Sequence, residues 1–247
     1  MKIGLFIPCY IDQFYPKVGI ATLELLEKLG CNVGYPMDQT CCGQPMGNSG
    51  SEKEAVKTAE LFVKNFQTYD CIVAPTGSCA CYVKEHYDIL KQTDATKYVR
   101  ENIYELAEFI TDILKVDQID ATFPYKVGFH SSCHGQRGLR LAQSSELNLP
   151  FFSKQKQLLS MVKGIEIVEI DRRDECCGFG GTFCVTEEAV SVKMGKDKVA
   201  DFVRNGAEVI TSGDVSCLMH LDGIIKRQKY PVKVLHIAEI LNNTIER

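Results

Sequence analysis

The tripeptide Cys-Cys-Gly occurs twice in this chain, beginning at Cys41 and at Cys176. Each copy is preceded by a strand-like segment that ends in cysteine, KIGLFIPC for residues 2–9 and KVGFHSSC for residues 126–133. Each copy is followed by a third cysteine segment, TGSC in the first half and DVSC in the second. Internal repetition of this kind indicates a duplicated unit. We therefore expect two lobes built on one plan, each with the order Cys, Cys-Cys-Gly, Cys.

Twelve cysteines among 247 residues need a chemical explanation, and other features of the chain narrow it. No apolar run approaches the ~18 residues of a transmembrane helix, and the apolar run at 3–8 is too short for a signal peptide. We therefore expect a cytoplasmic protein, in which cysteines more often bind metal or react than form disulfides. A net charge of −4 gives no indication of nucleic-acid binding. No phosphate loop or dinucleotide fingerprint occurs, so we predict no nucleotide site.

Short apolar runs alternate with segments of helical spacing along the chain. The predicted strands cover 2–7, 31–35, 71–74, 126–130, 165–170, 207–211 and 232–235. The predicted helices cover 16–29, 51–69 with a capping box opened by Ser51, a stretch from about 79, 95–115, 187–204, a stretch capped by Asp214, and a last helix after 235. This alternation favours an α/β fold of parallel sheets flanked by helices, in two pseudo-repeated lobes.

The predicted division of the chain follows the repeat. We expect a first lobe in residues 1–94 and a second lobe in residues 125–247. The helix predicted at 95–115 has no match at the end of the second half, so we expect residues 95–124 to bridge the lobes.

Every repeated cysteine lies just beyond the carboxyl end of a predicted strand. Ligands gather at this edge of a parallel sheet, so three loops in each lobe are expected to bring four thiols together. The first thiol set is Cys9, Cys41, Cys42 and Cys79, and the second thiol set is Cys133, Cys176, Cys177 and Cys217.

Four thiolates suit either a structural zinc ion or an iron–sulfur cluster. Zinc sites usually close with short Cys-x-x-Cys hooks, and neither set contains one. Adjacent side chains of an extended chain point apart, so a Cys-Cys pair fits a cluster several atoms wide better than one ion. Gly178, Gly180 and Gly181 would let backbone N–H groups approach cluster sulfurs. The pattern favours iron–sulfur ligation, with zinc or free thiols as the alternatives.

The remaining cysteines lie outside the repeat. Cys81, two residues after Cys79, is either a fifth ligand or a small residue that packs on its helix. Cys184, beside the glycine turn, is expected to be a buried thiol rather than a spare ligand. Cys31 and Cys71 open predicted strands, where cysteine is a common core residue, and both are expected to be inert.

Several histidines and arginines lie near the second thiol set. His134 and His220 are each either a ligand or proton relay, or a hydrogen-bonded neighbour. His130 is expected to be a strand residue, and His236 a capping or packing residue of the last helix. Four arginines are close in sequence to this set, and they could bind a carboxylate substrate in bidentate fashion. We prefer to interpret them as ordinary surface charge or as balance for an anionic cluster. They are Arg137, Arg140, Arg172 and Arg173.

At its cysteine motifs the chain resembles the cysteine-rich CCG-domain proteins, and most closely the lactate-utilisation protein A group. The same domain is found in one of the subunits of heterodisulfide reductase and in the iron–sulfur subunit of glycolate oxidase. The segments that carry the resemblance are CCGQPM at 41–46, PTGSC at 75–79, SCH at 132–134, CCGFGGTF at 176–183, CLMH at 217–220 and VLHIAE at 234–239.

The resemblance implies iron–sulfur clusters, one or two in number and of four-iron type, bound by the two thiol sets. In heterodisulfide reductases the fuller motif ends in Cys-x-x-Cys and holds a non-cubane cluster on five cysteines. Here the first repeat ends in Cys79-Ala-Cys81, one residue short, and the second has Met219 and His220 where the extra thiol would stand. Cubane and non-cubane clusters therefore both stay open, and Cys81 is kept as a candidate cofactor ligand.

The resemblance also implies a function. In the lactate group such a protein works beside two partner subunits, one with ferredoxin-type clusters, and the set oxidises L-lactate to pyruvate. We therefore expect an electron-carrying oxidoreductase component that is active only with its partners. A thiol or disulfide reductase acting directly at a cluster, as in heterodisulfide reductase, and a non-redox zinc scaffold are the alternatives. The sequence assigns no catalytic residue.

Overall fold

The computed structural model describes residues 1–243, in which eight short strands form two separate parallel sheets. The strands are β1 Lys2–Leu5, β2 Asn32–Gly34, β3 Cys71–Ala74, β4 Ile103–Glu105, β5 Lys126–Phe129, β6 Glu166–Val168, β7 Val209–Ser212 and β8 Lys233–His236. The first sheet has the order β2-β1-β3-β4 and the second the order β6-β5-β7-β8. We call β1–β4 with their helices the first lobe and β5–β8 with theirs the second lobe. The matching strand orders confirm the predicted α/β fold with two repeated lobes.

Helices connect the strands and cover both sheets. They are α1 Cys9–Phe14, α2 Pro16–Lys28, α3 Gln44–Asn48, α4 Glu52–Phe66, α5 Gly77–His86, α6 Asp94–Glu101, α7 Leu106–Glu108, α8 Lys154–Leu159, α9 Phe183–Thr186, α10 Glu188–Arg204, α11 Val215–Gln228 and α12 Ile237–Leu241. Single 3₁₀ or π turns lie at Tyr87–Ile89, Phe109–Ile113, His134–Gly138 and Ser145–Leu147. Over residues 1–243, no helix combines the length and the apolar character that crossing a membrane requires.

The two lobes match residue by residue around their central strands. Gly4 of β1 lies against the ring of Phe66, and Gly128 of β5 lies against the ring of Phe202. The N–H just after β1, that of Phe6, donates to the Val73 carbonyl at 2.9 Å. The N–H at the same place after β5 donates to the Thr211 carbonyl at 2.8 Å. The duplication therefore extends from the order of strands to individual side-chain contacts.

One hydrophobic cluster joins the two sheets. It combines Ile3 and Leu26 of the first lobe with Val127, Leu158 and Ile237 of the second, all of them buried. Separate clusters lie beneath the outer helices of each lobe, α4 and α5 in one and α10 and α11 in the other. Burial of apolar surface is the main stabilising term in folding, so the shared cluster holds the lobes together as one body.

The helix predicted across 95–115 is wrong. The structure ends α6 at Glu101, and residues 103–105 form β4, which pairs with β3 through Ile103 and Ile72. The apolar residues that suggested one helix are buried in two different elements, Ile103 in β4 and Leu106 in α7. The second lobe has the same pair, β8 followed by α12, so the assumption that this segment lacks a counterpart is also wrong.

Two predicted helix caps have different outcomes. Ser51 precedes α4, but its side chain makes no capping hydrogen bond, so the predicted capping box is absent there. Asp214 caps α11 as predicted, accepting a hydrogen bond from the Ser216 N–H. Ser51 has backbone angles of −96° and 50°, outside the extended conformation that a capping side chain normally requires.

The contact between β5 and α10 gives a test of the fold. We expect Gly128→Ala to lower the free energy of unfolding by about 2 kcal/mol, because its new Cβ would collide with the buried Phe202 ring. Gly223→Ala is the control, since that glycine lies in α11 with no atom within 4 Å of the added methyl group. This change should raise stability by up to ~1 kcal/mol, because alanine favours helices. Urea denaturation of both variants measures the difference, and equal effects would contradict the described contact.

Candidate metal centre between the lobes

The eight repeated cysteines all face one cavity between the two lobes. In each lobe the first thiol follows the central strand, the adjacent pair lies in the loop after the edge strand, and the last thiol lies in the first turn of a helix. The cavity has a volume of about 200 Å³, and the thiols that line it are Cys9, Cys41, Cys42, Cys79, Cys133, Cys176, Cys177 and Cys217. The structure thus brings together all the cysteines of both sets.

Sulfur atoms of the first thiol set form a chain of contacts. The Cys9 thiol donates to the Cys41 sulfur at 3.7 Å. Cys42, which is buried, interacts with both Cys41 and Cys79. The Gly43 N–H donates to the Cys41 sulfur at 3.4 Å. Gly43 has a φ of +92°, a conformation that residues with a side chain rarely adopt, and this turn aims its N–H at the sulfur.

The second thiol set repeats this arrangement. Cys133 interacts with Cys176, and Cys177 interacts with Cys176 and Cys217. The Gly178 N–H donates to the Cys176 sulfur at 3.3 Å, from a residue whose φ is also +92°. The N–H of the next residue, Phe179, donates to the Cys177 sulfur at 3.5 Å. Each set is therefore a group of four thiols with backbone N–H donors directed at its sulfurs.

Electrostatics give each set an affinity for positive charge. Hydrogen bonds from the Cys42 and Cys9 thiols lower the pKa of Cys41 to about 3. Hydrogen bonds from Cys133 and Cys177 lower the pKa of Cys176 to about 2. The hydrogen bond between Cys133 and Cys176 raises the pKa of Cys133. One thiolate per set is thus favoured while its neighbours retain protons. Four thiolates at this spacing would repel one another unless a cation compensates them, so each set suits a metal ion or a metal cluster.

A buried carboxylate lies between the two helices that carry the last thiol of each set. Asp214, which is 1% exposed, also lines the cavity. It accepts hydrogen bonds from the Ser216 N–H at 3.3 Å and the Ser216 hydroxyl at 2.7 Å, which caps α11. It also accepts from the Ser78 N–H at 2.9 Å and from the Thr76 hydroxyl at 3.2 Å, both at the start of α5 in the first lobe. One side chain therefore caps the two helices that carry the last thiol of each set.

The other cysteines lie outside the cavity. Cys81 is buried in α5 and packs closely against Gly138. A Cβ atom added to Gly138 would lie only 2.6 Å from the Cys81 sulfur. Cys184 is half-buried rather than buried, and its thiol donates to the Gly181 carbonyl at 3.0 Å. Cys71 is buried at the start of β3, an inner strand of the first sheet, and Cys31 is half-buried just before β2. All twelve cysteines fall in the described part of the chain, and no disulfide joins any of them.

The histidines occupy different places around the second thiol set. His134 lines the cavity, and its Nε2 lies 3.5 Å from the Gln44 side-chain nitrogen. His220 lies outside the cavity, with Nε2 3.3 Å from the Ser191 carbonyl oxygen. His236 caps α12, as expected, in a capping box with Glu239.

The sequence interpretation missed His130, which it took for a strand residue. A ring nitrogen of His130 and the sulfurs of Cys177 and Cys217 lie within 4.8 Å of one another. The sequence signal was available, because the matching position of the first repeat is Phe6, an apolar residue.

The arginines near the second thiol set lie away from the cavity. Arg137 pairs with Glu146, its Nε lying 2.7 Å from the carboxylate. Arg172 pairs with Glu175 at 3.0 Å, and Arg173 lies over the Phe151 ring. As far as the described residues extend, neither these three nor Arg140 lines the cavity. The interpretation of all four as surface charge is consistent with these positions.

The shared cap gives a second prediction. We expect Asp214→Ala to lower the free energy of unfolding by about 4 kcal/mol and the Tm by roughly 10 °C, because it orphans buried donors of both lobes. Asp214→Asn keeps one acceptor oxygen and should lose less than half of this. The control is Asp222→Ala in the same helix, which removes an ion pair with the exposed Lys226 and should leave the Tm nearly unchanged. Thermal denaturation measures all three, and an Asp214→Ala protein as stable as the control would contradict the shared cap.

Comparisons with known proteins agree with this geometry. A family model described as a cysteine-rich domain (CCG) matches residues 3–84 and 127–222, one stretch in each lobe. The chain is 40% identical over 248 residues to Lactate utilization protein A of Halalkalibacterium halodurans, with 98% of the chain and 97% of that protein covered. It is 42% identical over 251 residues to the protein of the same name from Macrococcus caseolyticus, with 100% and 98% covered.

A solved structure shares the fold. The crystal structure of a hypothetical protein from Helicobacter pylori superposes with a TM-score of 0.65 at 11% sequence identity. The match covers 100% of this chain and 49% of the other, so this chain spans about half the length of that protein. Two family-model matches, one around each thiol set, and relatives of similar length lead to the same conclusion: the chain belongs to the cysteine-rich CCG domain family, in the group of relatives named Lactate utilization protein A.

Proposed function

We propose that the chain is the iron–sulfur subunit of a cytoplasmic system that oxidises L-lactate to pyruvate. The observation that carries the proposal is the convergence of two equivalent sets of four thiols on one cavity, with backbone N–H donors directed at their sulfurs. The substrate comes from the relatives, which are named for lactate utilisation.

Two features of each set favour an iron–sulfur cluster over zinc. Both members of each adjacent pair, Cys41 with Cys42 and Cys176 with Cys177, contact other thiols of their set. A cluster several atoms wide accommodates such a pair more readily than a single ion. The N–H donors of Gly43 and Gly178 match the hydrogen bonds to sulfur that tune the reduction potential of iron–sulfur clusters.

The proposed roles follow the two sets. Cys9, Cys41, Cys42 and Cys79 would hold one four-iron cluster, and Cys133, Cys176, Cys177 and Cys217 the other. When bound, such clusters supply one-electron transfer. Oxidation of lactate to pyruvate releases two electrons and two protons, so two such centres in one chain suit the stoichiometry. We propose two partner subunits, one with ferredoxin-type clusters, to complete the path from substrate to acceptor.

The alternative of a direct disulfide reductase has less support. It rests on the resemblance to heterodisulfide reductase, and Cys81, as an extra thiol beside the first cluster, would matter most to it. Cys81 lies against Gly138 outside the cavity, so no structural observation favours this alternative.

Metal analysis of anaerobically purified protein tests the cofactor. Two four-iron clusters predict roughly eight iron atoms and as many acid-labile sulfides per chain. Cys41→Ser and Cys176→Ser should each lose about half of the iron, because each removes a thiolate of one set. Cys184→Ser is the control and should keep the wild-type iron content, because Cys184 lies outside both sets. Bound zinc without sulfide would contradict the cluster assignment.

Reconstitution with partner subunits tests the reaction. The complete system should reduce an artificial electron acceptor when given L-lactate, and the same system built with Cys176→Ser should not. Glycolate, a smaller 2-hydroxy acid, is the control substrate and should support a much lower rate. Activity with glycolate equal to that with lactate would contradict the proposed substrate, and activity of the Cys176→Ser system would contradict the proposed role of the second set.

A further inference from the structure

The two lobes differ behind their thiol sets in a way that the repeat does not predict. In the first lobe, Phe6 and Phe62 are buried with their ring centres 4.8 Å apart. In the second lobe, His130 and Lys198 are buried at the corresponding positions. A purely apolar pair is thus replaced by a pair of ionisable side chains.

The match between these positions rests on three contacts. Phe6 and His130 are the first residues after β1 and β5, and their N–H groups bond to β3 and β7 in the same register. Gly43 lies against Ala55 in α4, and Gly178 against Ser191 in α10.

Phe66 and Phe202, eleven residues further along these helices, both contact the glycine of the central strand. Phe62 and Lys198 each lie four residues before that phenylalanine, so they occupy equivalent turns of α4 and α10.

His130 is buried without a hydrogen-bond partner. Its exposed fraction is 0%, and neither ring nitrogen has a partner among the described residues. The Lys198 ammonium does not supply one, because it donates to the Arg172 carbonyl at 2.7 Å. Leaving a buried polar group unpaired costs stability, because the group gives up its hydrogen bonds to water and gains none in the folded protein. The first lobe shows that phenylalanine fits this position, so the fold alone does not require the cost.

Two thiols of the second set lie close to the unpaired ring of His130. A ring nitrogen of His130 lies within 4.8 Å of the sulfurs of Cys177 and Cys217, which are as close to each other. A metal bonded to imidazole nitrogen at ~2.0 Å and to thiolate sulfur at ~2.3 Å holds such atoms roughly 3.5–4 Å apart. The three donor atoms are therefore near the spacing of ligands to one metal.

We propose that His130 is a metal ligand of the second thiol set, bonding through a ring nitrogen to a metal atom held by Cys177 or Cys217. The proposal rests on the proposed function in one respect, that the second set holds metal. It makes the two centres chemically different. The first set, where Phe6 occupies the matching position, offers only sulfur ligands, whereas the second set offers sulfur ligands and one nitrogen ligand.

Isotope labelling tests the ligand directly. The full chain is purified anaerobically with ¹⁴N-histidine or ¹⁵N-histidine, reduced, and examined by pulsed electron paramagnetic resonance. A nitrogen hyperfine coupling that changes with the isotope is expected in the wild type. It should persist in His134→Gln and His220→Gln and disappear in His130→Phe, which carries the residue of the first lobe.

Metal content separates this proposal from the one on which it rests. His130→Phe should lose iron only from the second centre, and His130→Cys should retain iron without nitrogen coupling. A wild-type protein with both clusters and no histidine coupling overturns the assignment of His130 and leaves the proposed function intact. A second set without metal in the wild type overturns both. If His130→Phe fails to fold, an isotope-dependent coupling that persists in both His134→Gln and His220→Gln still supports His130.

Discussion

The carboxylate of Asp214 is the interaction on which the arrangement of the site depends. It is buried between the lobes and accepts hydrogen bonds from the first turns of α5 and α11, so it satisfies helix N-terminal donors of both lobes at once. Those two turns carry Cys79 and Cys217, and a negative charge is favourable at the positive ends of the two helices. The backbone reinforces the contact, because the Gly77 N–H donates to the Gly213 carbonyl at 3.2 Å. The position of the last thiol in each set is thereby fixed relative to the other.

Around Asp214 the two lobes have the same backbone arrangement, but the side chains behind their thiol sets differ. In both lobes the glycine of the Cys-Cys-Gly turn has a φ of +92°. Each turn lies beside its own set of four thiols, and the two sets have equivalent contacts. The first lobe supports its set with aromatic rings, whereas the second places His130 and Lys198 behind the thiols. A duplicated fold has thus kept its thiols and changed their surroundings, and such a change would give metal bound at the two sets different properties.

Much of this fold could be predicted from periodicity and from the repeat. Seven of the eight strands described in residues 1–243 follow from short apolar runs, and the principal helices follow from helical spacing. The convergence of the thiols follows from the cysteines that come after those strands. The strand β4 was missed because Val99, Ile103 and Leu106 keep helical spacing although the chain changes conformation at Asn102. The cap from Asp214 to Ser78 and the contacts of His130 could not be predicted for a different reason, although the repeat does mark His130 as a position where the two halves differ. Both arise from contacts between segments distant in sequence, and local pattern carries no information about such contacts.

The shared cap has a consequence for the order in which the molecule is completed. Ser78 and Asp214 are 136 residues apart, so α5 emerges from the ribosome long before its capping carboxylate has been made. Until then, the turn that presents Cys79 lacks the group that holds it in place. Co-translational folding of the first half therefore leaves its thiol set without this cap until the segment that contains Asp214 has been made and has folded against it.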